Sequence, residues 1–416
     1  MNEKRGFTKD FWLVVLGQII SLFGNAVVRF ALPIHLLTMT GSATLLGIVS
    51  GCAFIPLAIM SPLGGIIADR VNKRNIMVFL DFFTALLTIV FLLLYGQVNT
   101  TGLILVTLFL LYGISGAYQP SVQASIPALV QATQIMPANA IINMVSSLAG
   151  LLGPALGGVA YSVWGIKPVL AIAGACFFLS AVMELFIHIP FLEKHRGESI
   201  LKDTKNDIKE SITFITNKTP AIGKLTICCA AVNMVLAALM IIGLPVIVTQ
   251  VLSFTPSEAS RLYGFMEACL AIGGLVGGMC AGIFCRKIDV NNSYRILTVS
   301  ALLLLPMGLV LLLPCSAYLA YGVLAFMSML IMALSSIYTI VIMSYIQMTV
   351  PQEIVGKVIA WVMAVSTCAH PVGQVLYGVL FEQLVSILWA IFFVAALLSF
   401  MIAWFAKRID LKKTAY

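Results

Sequence analysis

Apolar stretches of about twenty residues recur from end to end of this 416-residue chain, separated by short polar breaks. A stretch of that length crosses a hydrocarbon core of about 30 Å as a single helix. Read between the breaks, the pattern predicts twelve spans, at 11–38, 43–67, 75–95, 102–123, 138–162, 168–188, 221–250, 258–284, 294–313, 317–345, 355–380 and 386–406. The longest polar segment, 193–219, falls at the midpoint. The expected organisation is a six-helix bundle over 1–190, a cytoplasmic linker over 191–220 and a second six-helix bundle over 221–416.

Composition fixes the class. The chain is 61% hydrophobic and 10% charged, against about 45–50% and about 25% for a soluble domain. That much apolar surface has no place in a soluble core, so the fold class is an all-α membrane protein. The first apolar run continues past Asn25 and Arg29 with no small-residue cleavage site, which reads as an uncleaved span rather than a signal peptide. The nine cysteines sit in or beside apolar runs, as small hydrophobes rather than as a metal or disulfide framework. No spacing of His, Cys, Asp and Glu suggests a metal site, and no phosphate-binding glycine loop or nucleophile–base motif speaks for catalysis.

The net charge of +8 is a topology signal. Of 24 Lys and Arg, 21 fall on one face of the predicted spans; Lys167 and Arg261 fall on the other, and Arg29 lies at membrane depth. The excess of basic residues marks the cytoplasmic side, so both termini are expected there, in a multi-pass protein of the plasma membrane. No nucleic-acid partner is needed to explain the charge.

The two halves match at a constant offset of 217 residues. Gly47 pairs with Gly264, Gly65 with Gly282, Arg70 with Lys287 and Pro154 with Pro371. Duplicated six-span halves around a central loop are the pattern of transporters with parallel repeats, which bind substrate between the halves near the midplane.

Two motifs narrow this further. Between spans two and three stands GGIIADRVNKRNIM, residues 64–77. On span five stands LAGLLGPALGGVA, residues 148–160. The first resembles the loop signature of the major facilitator superfamily, whose fold has twelve transmembrane helices in two pseudo-symmetric halves. The second resembles the glycine–proline motif of that superfamily's drug:proton antiporters. GQIISLFGNAV and TGSATLLGIV in the first two spans, with VPQEIVGKVIA before span eleven, resemble the macrolide-efflux branch. The resemblance implies a conformational lock at Asp69 with Arg70 and Arg74, and Asp81 is expected to join that charge network. It also implies that spans five and eight meet, from which we expect a gating seam. The seam comprises Gly150, Gly153, Pro154, Gly157 and Gly158 with Gly274 and Gly278; Gly150, Gly153 and Gly157 share one helical face, and Gly153 and Gly157 are expected against Gly274 and Gly278. Span four, LFLLYGISGAYQPS, departs from the family by lacking the arginine common in proton-coupled members; Tyr112 is near that place.

Ionisable residues at membrane depth are functional candidates by default. Arg29 on span one and Glu267 on span eight lie at similar depth and are expected to pair, directly or through water, as the proton-coupling charges. Glu184, near the end of span six, is expected at the interface. The substrate cavity is expected to be lined by Gln18, Asn25, Tyr112, Gln119, Asn143, Asn233, Met234, Tyr338, Tyr345 and Gln374. Sparse polar anchors among Met, Phe and Tyr suit a small amphipathic substrate. The expected function is export of amphipathic drug-like compounds, macrolides among them, by a monomer that uses the proton gradient and no cofactor. A lipid or lysolipid translocator and a nutrient symporter are the alternatives.

Overall fold

Inside a bilayer no water is available to backbone N–H and C=O groups, so each segment must satisfy its own, and an α-helix does so. The computed structural model of the chain describes residues 7–131, 134–189, 219–284, 290–351 and 355–409. The linker predicted over 191–220 lies almost wholly outside the described residues. Among the described residues twelve long helices follow one another: α1 Lys9–Thr40, α2 Ala43–Arg70, α3 Lys73–Leu94, α4 Thr100–Leu129, α5 Ile135–Trp164 and α6 Ile166–Glu184; then α7 Pro220–Val251, α8 Pro256–Phe284, α9 Ser293–Leu312, α10 Ala317–Thr349, α11 Val355–Gln383 and α12 Leu388–Lys407. Among the described residues, all but α11 meet a length and apolarity threshold for crossing a membrane.

The ends of these helices are written locally. Thr8 accepts from Phe11 N–H at 3.2 Å, Asn99 from Gly102 N–H at 3.1 Å and Ser316 from Leu319 N–H at 3.3 Å, which cap α1, α4 and α10. Gly41, at φ 65°, takes the left-handed turn that ends α1. One helix is irregular. α7 contains two π-helical turns, Asn233–Ala237 and Ile247–Val251, and the first turns Asn233 so that its Nδ2 donates to Ser366 O on α11 at 2.8 Å.

The chain forms two compact units. One holds Met1–Gly41, Cys52–His195 and Thr255–Ala268; the other holds Ser42–Gly51, Arg196–Phe254 and Cys269–Tyr416. The division does not follow the sequence halves at two places: the start of α2 belongs to the second unit and the start of α8 to the first. In the first unit α1 packs on α5 and α6, and α3 on α6; in the second, α9 packs on α12 and α10.

Glycines mark the closest approaches, and they correct the expected seam. A Cβ added at Gly153 would run into Ala26, and one at Gly157 would lie 3.3 Å from Phe30 Cδ1, so that stripe of α5 packs on α1. Gly158 lies about 100° further round the helix. It is the residue that meets α8: its added Cβ would lie 2.9 Å from Ser260 O and 3.0 Å from Gly264 Cα. On α8, Gly273 and Gly277 pack on the backbone of α10 at Met329 and Ala333, whereas Gly274 meets nothing within 4 Å and Gly278 only Ser336 Oγ at 3.9 Å. Gly150 also meets nothing within 4 Å and lines a cavity instead. The second unit repeats the contact between α2 and α11. A Cβ at Gly378 would lie 2.7 Å from Ala43 O and 3.3 Å from Gly47 Cα, and one at Gly47 would run into Gln374 O. Gly47 and Gly264 are related by the 217-residue offset, and each sits at one of these two contacts.

Candidate functional site

A cavity of about 300 Å³ lies in the first unit between α1, α2, α4 and α5. Asn25, Arg29, Ser61, Ser115, Gln119, Ser146 and Gly150 are among the residues lining it, with Leu22, Ala26 and Leu57 as apolar wall. Asn25 Nδ2 donates to Ser115 Oγ at 3.5 Å. Arg29 is its one charge. The guanidinium stacks on Tyr112 with Cζ 3.8 Å from the ring centroid, and its Nε and Nη2 are buried without a hydrogen-bond partner. The aromatic face compensates part of the desolvated charge, by about 2 kcal/mol at a buried site. The remaining N–H groups have unmet donor capacity.

Arg29 and Glu267 do not pair in this structure. Glu267 instead accepts from Tyr263 Oη, one turn earlier on α8, at 2.5 Å. Tyr263 in turn stacks on Phe30, with ring centroids 5.2 Å apart. Each charge of the expected pair therefore has an aromatic partner of its own. Tyr112 was expected in the cavity; Tyr263 was not singled out by the sequence pattern.

Several expected cavity residues are elsewhere. Gln18 is fully buried and donates to Tyr118 Oη at 2.8 Å, inside the α1–α6 bundle. Tyr338 and Gln374 are fully buried in the second unit. Asn233 bonds α7 to α11, as described, and Met234 lies under Gly373 of α11. Asn143 is exposed and Tyr345 half-buried. Asn25, Tyr112 and Gln119 are the members the structure brings together around Arg29.

The expected lock is also redistributed. The side chains of Asp69 and Arg70 lie outside the described residues. Arg74 caps α6: its Nε donates to Glu184 O at 3.4 Å and its Nη2 to Leu185 O. Asp81 does not join it. Two turns into α3, it is buried facing α1 and α4, where Ser21 Oγ donates to Oδ1 at 2.9 Å. Glu184, the last residue of α6, is fully buried beside it. The spacing of Asp81 from the basic loop suggested the charge network of Asp69 and Arg74; α3 instead turns it toward Ser21 and Tyr118.

One further contact ties helix ends together in the second unit. Glu382, exposed at the end of α11 and outside the spanning part, caps α2. Ser42 Oγ and Thr44 N–H donate to its Oε2 at 2.6 and 2.8 Å. These donors hold the Glu382 carboxyl below its ordinary range.

Twelve apolar helices in two repeats define a multi-pass helical membrane protein of transporter architecture. The sequence pattern of the Major Facilitator Superfamily matches residues 14–373, and the chain belongs to that family. It is similar to "Macrolide efflux protein A" of Streptococcus pyogenes, at 25% identity over 307 residues covering 72% of each chain. It is also similar to "Putative multidrug resistance protein MdtD" of Cronobacter sakazakii, at 32% over 158 residues, 37% of this chain and 32% of that one. Among solved structures, the nucleoside transporter NupG superposes with TM-score 0.74 at 13% identity, over 97% of this chain and 99% of that one. That likeness is one of fold.

Proposed function

We propose that this chain is a secondary active exporter of small amphipathic compounds, macrolides among them, working as a monomer by alternating access and proton antiport. The one-sided basic residues support a plasma-membrane protein with both termini in the cytoplasm. The observation that carries the reading is the cavity around Arg29. It is a chamber in which amide, hydroxyl and guanidinium groups face an apolar wall, with Arg29 stacked on Tyr112, and that mixture supports a small amphipathic ligand. The names of the macrolide and multidrug relatives support the same direction. Arg29 and Glu267 are its coupling charges, each held by an aromatic residue until the cycle brings proton or substrate to it.

A lipid or lysolipid translocator is a second reading, favoured by one observation. The unpartnered Nε and Nη2 of Arg29 suit a phosphate-bearing headgroup.

Expression in a bacterial host stripped of its own exporters tests the first reading. The expected result is raised resistance to erythromycin, and ethidium uptake by everted vesicles that stops when the pH gradient is collapsed. Glu267→Gln should cut the gradient-driven uptake. Unchanged susceptibility together with headgroup-dependent lysolipid movement would favour the second reading.

A further inference from the structure

The buried polar cluster of α1, α3, α4 and α6 has no place in the cavity, and its chemistry is distinct. Tyr118 Oη donates to Glu184 Oε1 at 2.7 Å and lies 3.5 Å from Asp81 Oδ2, so one hydroxyl bridges two carboxyls. Gln18 Nε2 donates to the same hydroxyl. Asp81 has Ser21 as a donor at 2.9 Å, and the Ser180 hydroxyl stands beside it. Two acceptor atoms in this network lack any partner: Glu184 Oε2 and Gln18 Oε1. Both side chains are 0% exposed.

The charges around the cluster do not neutralise it. Every group bonded to the two carboxyls is a neutral hydroxyl. Arg74, on the first turn of α3, is bonded to main-chain oxygens at the end of α6. Lys73 precedes it in the same turn. On α1, Asp10 accepts from His188 N–H at 3.0 Å, and Arg29 is stacked on Tyr112. α4 and α5 contain no charged residue. Two carboxylates that share one hydroxyl and are both buried disfavour double ionisation. Asp81, with its hydroxyl donors, is the better-solvated anion of the two.

The second bundle shows that the helix packing does not require acids. Its equivalent helices α7, α9, α10 and α12 contain no Asp or Glu at all, yet α9 packs on α12 as α3 packs on α6. A polar group that packing does not need and that burial penalises is a functional candidate.

We propose that Asp81 and Glu184 form a binding site for one proton, shared between the two carboxyls and carried at Glu184 Oε2, and that this proton exchanges with water during the transport cycle. The site is inside the first bundle, apart from the cavity and from Glu267. A proton on Oε2 gives that oxygen a hydrogen to donate, and Gln18 Oε1 is an acceptor without a donor. The exchange half of the proposal rests on the proton-antiport reading; the binding half does not.

Infrared spectroscopy of the full chain in lipid nanodiscs tests the binding half. In the Glu267→Gln background, which removes the half-buried carboxyl on α8, a neutral-carboxyl carbonyl band is expected at pH 7. It should shift in heavy water and disappear in the Asp81→Asn/Glu184→Gln variant. Tyr118→Phe, which leaves both carboxyls in place, should keep the band and move its frequency. Absence of the band from protein carrying both carboxyls, or its persistence in the Asn/Gln variant, overturns the site. Ethidium movement in proteoliposomes tests the exchange half. With Glu267 intact, Asp81→Asn/Glu184→Gln should lose pH-gradient-driven accumulation while downhill flux remains. Accumulation at the wild-type rate in that variant overturns the exchange. A wild-type protein that ignores the pH gradient contradicts proton antiport itself, and the infrared band then decides the site alone.

Discussion

The α1–α6 and α7–α12 bundles follow one plan, and in both buried hydroxyls bond within their own helix, but among the described residues only the first also buries carboxyls. In the second bundle, the buried hydroxyls of Thr226, Ser300 and Ser328 each donate to the carbonyl four residues back in their own helix, at 2.8, 3.0 and 2.5 Å. In the first, Gln18, Ser21, Asp81, Tyr118 and Glu184 bond across four helices. A short hydroxyl can be satisfied by its own helix, so it packs like an apolar residue. The two buried carboxyls take their partners from other helices. The first bundle therefore carries chemistry that an otherwise equivalent scaffold does without.

The strongest way to break this contrast is to make the first bundle like the second. Asp81→Leu with Glu184→Met should leave the fold intact, with a stability change no larger than about 1–2 kcal/mol in thermal unfolding. It should abolish uphill ethidium transport. Collapse of the fold in that variant would mean that the acids are structural. The glycine contacts should instead behave alike in both units. Gly264→Val and Gly47→Val are each expected to cost about 1–3 kcal/mol of packing and to depress transport. Gly274→Ala, whose added Cβ meets nothing within 4 Å, should do neither. A smaller test compares single hydroxyls. Tyr118→Phe removes a group on which two carboxyls depend and should cost about 1–3 kcal/mol in thermal unfolding. Ser300→Ala removes only a self-satisfied hydroxyl and should cost less than about 1 kcal/mol.

The smallest expected effect is at the rim. Glu382→Gln weakens the cap on α2 and should cost about 0.5 kcal/mol, since the group is exposed. Its folded pKa is depressed, so its contribution is full above the unfolded value and is lost as pH falls through the folded one. Thermal unfolding of wild type and Glu382→Gln should therefore converge in acid and separate toward neutral pH.

The spans, the duplication and the family signatures were legible because they depend on periodicity, spacing and one-sided charge. The residue-to-residue contacts were not, because they depend on how far each helix is rotated about its axis. Gly157 and Gly158 differ by one position, yet one packs on α1 and the other on α8. Asp81 follows a basic loop closely enough to suggest the charge network of Asp69 and Arg74, and α3 turns it toward Ser21 and Tyr118 instead. The π-helical turns of α7 have no signal in the apolar pattern, and they decide where Asn233 points. Of the expected cavity, the residues around Arg29 were placed together, whereas Gln18, Tyr338 and Gln374 were polar groups buried within their own units.

Counting protons against substrate tests the account most directly. In proteoliposomes with a trapped pH indicator, an outward-directed ethidium gradient should drive protons the opposite way. That proton flux should vanish in Asp81→Asn/Glu184→Gln and be cut in Glu267→Gln, with downhill ethidium flux preserved. Ethidium moving at its full rate with no counterflow of protons through the wild-type protein would contradict proton-coupled export.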